Sequence, residues 1–467
     1  MCKTSVVLLR HFVSIAVVTL AIRAEAADPA PAPQATTQAP EPPRPTYPGI
    51  PPSQGKLEGT LGSFNLRVFG TVLLNLSGSD SSIVGEEVPL WALPGSVRVS
   101  FPDGTTKRAG DVHDTIFTAR QSLFGFIVSP SNPSSDTWVP SAKLEFDFFG
   151  TRPVDSLQPQ GRVLNQPRLR LAYFQIEKRA LKITAGQDKA LLAPLDPVSL
   201  SHVAIPLGAT AGNLWGWFPQ VRADWTHKTG DTSTVLQFGV LRPQFADPRL
   251  SDLPAPAGSS VEGTPGFGER SSQPFYQARV AVSHLMNDSN IAVGAAGHYG
   301  RERIGTDRTI ESWAFAADYA VPVHRRVIWR GEAFAGSNLV PFQGGVLQGL
   351  AVLQPVATAP PTKFNRIGAG GGWTELILKA TEDNKNVVYA GVGLDDPRDR
   401  HLLPGSGRSQ NRFAWASYFR KLTDQVTLAT EWSNWQFKTK GFVGGAPGPR
   451  GPSGRGNVFN LALAYQF

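Results

Sequence analysis

Thiols are all but missing from this chain. A single cysteine, Cys2, stands in 467 residues and precedes the first apolar run, which excludes disulfides, cysteine metal sites and a lipid-bearing cysteine at a cleavage point. The eight histidines are scattered, with no His-Glu-x-x-His and no pair at ligand spacing, so neither a metal nor any other cofactor is expected. Gly-x-Ser-x-Gly and the phosphate-loop signature are also missing, so no nucleophile elbow or nucleotide cradle can be built. Beyond the amino-terminal region no apolar run reaches the roughly 18 residues of a membrane helix. Helical periodicity long enough to build a soluble domain is lacking too. A pI near 9.6 points at first to nucleic acid, but the basic residues are spread over the whole chain, and an export signal leads away from that partner.

That signal opens the sequence. Lys3 and Arg10 precede an apolar run from Phe12 to Ile22, broken only by Ser14 and Thr19, and Ala24-Glu25-Ala26 supplies a small-x-small cleavage site. Residues 1–26 therefore read as a signal peptide. Residues 27–60 follow as a Pro-rich, disordered periplasmic linker, with Pro29, Pro31, Pro33, Pro40, Pro42, Pro43 and Pro45 spaced through a stretch that cannot bury a core.

Residues 61–467 have a different texture. In the last eleven, Phe459, Leu461, Leu463, Tyr465 and Phe467 alternate with Asn460, Ala462, Ala464 and Gln466, so a strand puts an apolar face opposite a small or polar one. Such a strand fits either one buried face of a sandwich or the lipid-facing wall of a transmembrane barrel. Similar alternation marks sixteen segments, near 64–77, 113–128, 140–150, 167–177, 180–188, 218–228, 232–242, 274–284, 290–300, 311–321, 327–337, 365–379, 386–394, 411–420, 426–437 and 457–467. Their connections alternate long (78–112, 151–166, 189–217, 243–273, 301–310, 338–364, 395–410, 438–456) and short, as do extracellular loops and periplasmic turns. The fold class is thus an all-β, transmembrane antiparallel β-barrel of about 16 strands in an outer membrane, with both termini periplasmic. A mean hydropathy of −0.16 agrees, since half of each barrel strand faces water.

The facing pattern separates lipid from lumen. Lys143, Glu145 and Asp147 oppose Ala142, Leu144, Phe146 and Phe148; Arg168 and Arg170 oppose Leu169, Leu171 and Tyr173. Arg222 and Asp224 oppose Val221 and Trp225, Arg279 opposes Ala278 and Val280, and Arg330 and Glu332 oppose Trp329 and Ala333. With Arg120, these eleven charged residues are the expected pore lining, where water solvates them. Trp313, Phe315, Tyr319, Trp415 and Phe419 fall near strand ends, as interfacial aromatic girdles do. The arginines admit two readings: guanidinium groups that recognise carboxylate or phosphate, or wall residues paired with carboxylates such as Glu145, Asp147, Asp224 and Glu332.

The run Thr118-Ala-Arg-Gln-Ser-Leu-Phe-Gly-Phe126, then Lys143-Leu-Glu-Phe-Asp-Phe-Phe-Gly150, Arg168-Leu-Arg-Leu-Ala-Tyr173 and Ile183-Thr-Ala-Gly-Gln187, resembles the front half of DcaP-like trimeric porins. More loosely it is similar to phosphate-selective porins of the O and P type. The likeness covers about residues 64–225 and the carboxyl terminus. It implies a homotrimer, passive uptake of small anionic solutes such as dicarboxylates, and a third loop folded into the barrel. It also makes Leu463, Tyr465 and Phe467 resemble the assembly signal read by barrel insertion machinery, with outer-membrane lipid and lipopolysaccharide as surroundings. The heptads of the amino-terminal coiled coil found in DcaP-like proteins are missing from residues 28–55. The competing classes are a barrel enzyme of lipase or protease type, for which no catalytic cluster can be assembled, and a structural or adhesive barrel without an open pore.

Overall fold

A computed structural model describes residues 57–467 apart from positions 86, 102, 135, 151–164, 246–265, 287–288, 305–307, 353–363, 406, 444–445 and 449–450. The signal peptide at 1–26 and most of the linker at 27–60 lie outside the described residues.

Sixteen antiparallel strands close on themselves. We number them β1 (Phe64–Ser79), β2 (Asp114–Thr118, continued by Leu123–Pro130), β3 (Val139–Gly150), β4 (Gln166–Lys178), β5 (Leu181–Lys189), β6 (Trp217–Thr229), β7 (Thr232–Leu241), β8 (Phe275–Met286), β9 (Ser289–Ile304), β10 (Arg308–His324), β11 (Val327–Ser337), β12 (Gly368–Lys379), β13 (Asn386–Pro397), β14 (Arg408–Lys421), β15 (Val426–Thr439) and β16 (Ser453–Gln466). Closure is made by β16 on β1, from Thr71↔Gln466 to Ser79↔Val458. A short strand, Leu57–Leu61, pairs with the start of β1 beside the end of β16.

The period-two pattern explains the wall. On β16, Phe459, Leu461, Leu463 and Tyr465 are 58, 44, 42 and 49% exposed, while Asn460, Ala462, Ala464 and Gln466 are buried. Val72, Leu74, Val221, Val280, Val293, Phe315, Leu376 and Val392 continue this apolar outer face around the barrel. Closure leaves no unpaired edge, which is what a strand-built membrane span requires. The inner face is sealed differently: Leu73, Ile377, Val387, Tyr389, Phe419, Ala429, Ala462 and Ala464 form one apolar cluster with Val198 and Leu200 of the loop after β5.

Three expectations need correction. The long connection expected at 301–310 is only 305–307, because β9 and β10 go on pairing through Arg301↔Glu311 to Ile304↔Arg308 beyond the apolar band. Trp415 and Phe419 do not belong to an outer girdle: they are 2% and 0% exposed, on the inner face. On β4, Leu171 and Tyr173 turn inward, because a register shift between Leu169 and Leu171 inserts one residue and flips the alternation. Phe174 then faces outward in their place.

Candidate functional site in the barrel lumen

The loop between β5 and β6, residues 190–216, lies inside the barrel, and its path can be followed by its partners. The Leu191 and Leu192 amides donate to Gln277 Oε1 on β8 (2.7 and 3.2 Å), and the Leu195 amide to Glu332 Oε1 on β11 (2.7 Å). The Val198 amide donates to Glu375 Oε1 on β12 (3.0 Å), and His202 Nε2 stands 3.2 Å from Glu431 Oε1 on β15. Gln121, in the break of β2, donates to the Ser201 carbonyl (2.8 Å) and accepts from the Val203 and Ala204 amides (3.0 and 3.1 Å). Finally Arg170 and Arg168 on β4 donate to the carbonyls of Val203 (2.8 Å) and Ala204 (2.7 Å). Residues 191–204 thus visit β8, β11, β12, β15, β2 and β4 in their order around the barrel. The chain then returns past Asn411 on β14, which donates to the Thr210 carbonyl (3.1 Å), and ends with the Ala190 amide on the Gly216 carbonyl (3.1 Å). A backbone ring lines the lumen.

Each anchor answers a local need. A loop inside a barrel must place its amides on acceptors, and buried wall glutamates and glutamines supply them. At Gly212 the ring comes too close to the wall for a side chain: a Cβ there, at a φ of +115°, would fall 2.2 Å from the Gly372 carbonyl oxygen. The apolar residues of the loop cover the inner wall, Leu195, Leu207 and Ala211 packing with Trp373, Phe413, Trp415 and Trp435.

The inner face of β3 to β10 carries a polar stripe, beside an apolar cluster in which Phe218, Leu241, Phe275 and Ala314 pack with Leu192 and Leu214 of the loop. Lys143 lies 3.1 Å from Glu145, and Arg170 bridges Glu145 (2.8 Å) and Asp147 (2.9 Å). Arg168 reaches Asp147 at 2.6 Å, with its guanidinium between Phe149 and Trp217. Arg222 pairs with Asp188 (3.0 Å) and Asp224 (3.1 Å), Lys182 with Asp224 (3.4 Å), Arg279 with Asp318 (2.8 Å), and Lys189 with Asp196 of the loop. In this stripe seven cations face six carboxylates, and in each pair the cation is the more exposed partner. Side-chain exposure is 27% for Arg168 against 0% for Asp147, and 12% for Arg222 against 6% for Asp188. Beside Arg170 a cavity of about 160 Å³ is lined by Lys189, Asp196, His202, Trp215 and Trp217.

The eleven charged residues expected on the lumen face are not a set of free, solvated charges. Arg120 sits in the β2 break and is paired with the buried Glu87 of the first loop, with a second contact of 2.6 Å. Arg330 is 1% exposed, held by Glu375 at 2.7 Å, and Glu332 anchors the loop amide of Leu195, so these two stand behind the ring rather than beside the open stripe. The remaining eight share the stripe. Sequence reasoning missed the anchors Gln121, Gln277, Glu375, Glu431 and His202, and the partners Asp188, Lys182 and Asp318. Gln277 was visible as an inward-side residue beside Arg279, whereas alternation with Arg120 puts Gln121 on the opposite face, and nothing in the spacing announces that a loop 80 residues away will use either.

The wall, its closure and the inward ring can be set beside known structures. The outer membrane channel DcaP of Acinetobacter baumannii superposes with a TM-score of 0.63 at 14% identity, covering 88% of this chain and 100% of that one. The fold is that of the DcaP channel. An anion-selective porin from Comamonas acidovorans (TM-score 0.48, 10% identity, 86% and 100% covered) and OprB of Pseudomonas putida (0.48, 11%, 85% and 94%) are more distant likenesses. No protein-family model matches the sequence, and no curated protein matches it. The resemblance drawn from the Arg-bearing, acidic-aromatic and Gly-Gln strands is therefore met at the level of fold.

Proposed function

We propose that this chain is an outer-membrane porin through which small hydrophilic solutes diffuse passively, with a preference for anions such as dicarboxylates or phosphate. The observation that carries the reading is the asymmetry of the lumen. One side is sealed by the apolar residues of the ring, and the other presents paired charges whose cations are more exposed than their carboxylates. Paired charges have little net field at a distance, but a solute passing within contact range meets guanidinium edges first, and these suit carboxylate and phosphate oxygens. Partial burial between low-dielectric walls strengthens that contact.

In this reading both termini and the short turns are periplasmic, the long loops are extracellular, and three copies associate through the barrel wall. Phe467 belongs to the assembly signal with Leu463 and Tyr465. Single-channel recording in planar bilayers tests the porin reading: it predicts stepwise ohmic currents, whereas a barrel enzyme or an adhesive barrel gives none.

A further inference from the structure

The outer wall carries a second feature, on β11 to β16 near the end that bears the long loops. Ala333, Gly372 and Ala414 are small there, and with the exposed Val392 and Leu394 they border a depression of about 580 Å³. Arg412 stands on its rim. Across the sheet Arg412 pairs in register with Gln436, which pairs with Arg455, so two exposed arginines flank one glutamine on the outward face. Lys438 lies two residues above, its Nζ on Gln410 Oε1 at 2.9 Å.

Outward cations on a barrel wall are costly at membrane depth unless something neutralises them. Arg301 on β9 and Arg366 in the loop before β12 are neutralised in this way by Glu311. Among the described residues neither Arg412, Lys438 nor Arg455 has a carboxylate within salt-bridge distance; Arg412 donates instead to Gln436 Oε1 (2.6 and 3.0 Å). The two carboxylates in this region are engaged by amides. Asp80 takes Asn457 at 2.7 and 2.6 Å, and Asp396 takes Gln410 at 3.4 Å. Trp432, whose indole donates to Asn457 at 3.2 Å, marks the boundary between apolar band and polar rim.

We propose that this surface is a binding site for a phosphorylated lipid of the outer leaflet, the phosphates held by Arg412, Arg455 and Lys438 and an acyl chain lying in the depression. Charge complementarity selects this occupant: phosphate supplies the negative charge the patch lacks. The inference rests on the outer-membrane orientation given above.

Native mass spectrometry of the full chain, titrated separately with bisphosphorylated lipid A, its dephosphorylated form and phosphatidylethanolamine, tests it. The wild type should retain bisphosphorylated lipid A about tenfold more tightly than either other lipid, and the R412Q/R455Q variant should lose that preference. Ala414→Phe, which fills the depression, should weaken retention while leaving the charges in place. Unchanged preference in the double variant, or a drop in oligomer mass with lipid retention intact, overturns the site. Should the variants fail to fold, equal retention of phosphorylated and dephosphorylated lipid by the wild type does so. Conductance measured on the same samples separates the two claims, since loss of lipid preference with normal channels leaves the porin reading standing.

Discussion

Gln121 is the point at which the inward ring is most economically released. Its side chain is 1% exposed and makes three hydrogen bonds to residues 201–204: one donated to Ser201 and two accepted from Val203 and Ala204. Gln121→Ala removes all three while leaving Arg168 and Arg170 on the same segment. At about 1 kcal/mol net for each bond, the docked state of this segment loses about 3 kcal/mol. With about 1.4 kcal/mol per tenfold, local opening becomes about 100-fold more frequent. Hydrogen exchange on the protein in detergent reads this directly as faster exchange at Val203 and Ala204, and the open-channel current should become noisier. Gln121→Glu keeps both acceptor contacts and loses only the donor, so its effect should be about a fivefold change. Unchanged exchange at Val203 and Ala204 in the alanine variant would refute the assignment of Gln121 as an anchor.

Other consequences follow from the seam and from the ring. Phe467 exchanges two backbone hydrogen bonds with Gly70 (3.0 and 3.2 Å), and its ring packs on Phe124 and Tyr465 at 5.9 and 6.0 Å. Deleting it should lower the heat-modifiable folded fraction in the outer membrane without changing the conductance of the barrels that do form; normal assembly would sink the idea. Replacing residues Ala193–Ala209 by a short Gly-Ser linker removes most of the ring and should raise single-channel conductance, and an unchanged value would mean that the ring does not limit passage. In planar bilayers the untreated protein should give the stepwise currents that an enzyme or adhesin lacks.

The barrel was legible in the sequence because its strands obey one physical rule, alternation between lipid and interior. Phe459 to Phe467 declare that rule in nine residues, and Arg222, Arg279 and Arg330, on the opposite parity of their strands, pair with the buried Asp188, Asp318 and Glu375. The rule failed where the chain departs from period two. At Arg170 one inserted residue sends Leu171 and Tyr173 inward, and no composition signal marks such a bulge. It failed again where interior positions are apolar. Trp415 and Phe419 read as girdle residues because sequence alternation cannot tell an apolar side chain facing lipid from one facing a loop folded inside. The apolar content of residues 189–217 did announce that the third loop needs something to pack on. Which wall residues it uses depends on the three-dimensional circuit from β8 to β4, which only closure creates. The candidate site was therefore half visible: the charged stripe could be read, but the pairing of each arginine with a carboxylate could not be separated from the alternative of free lumen charges.

The pairing makes ion selectivity the most direct test of the account. Reversal potential in a potassium chloride gradient, measured on the wild type and on a variant with Arg168 and Arg170 both replaced by Gln, reads the sign of the field that a permeating ion meets. The account predicts anion preference in the wild type and a clear loss of it in the variant, because Arg168 is the most exposed arginine of the stripe's ion pairs and Arg170 lines the cavity beside it. Cation preference, or a variant indistinguishable from the wild type, would contradict it and leave these arginines as wall residues that only stiffen the barrel.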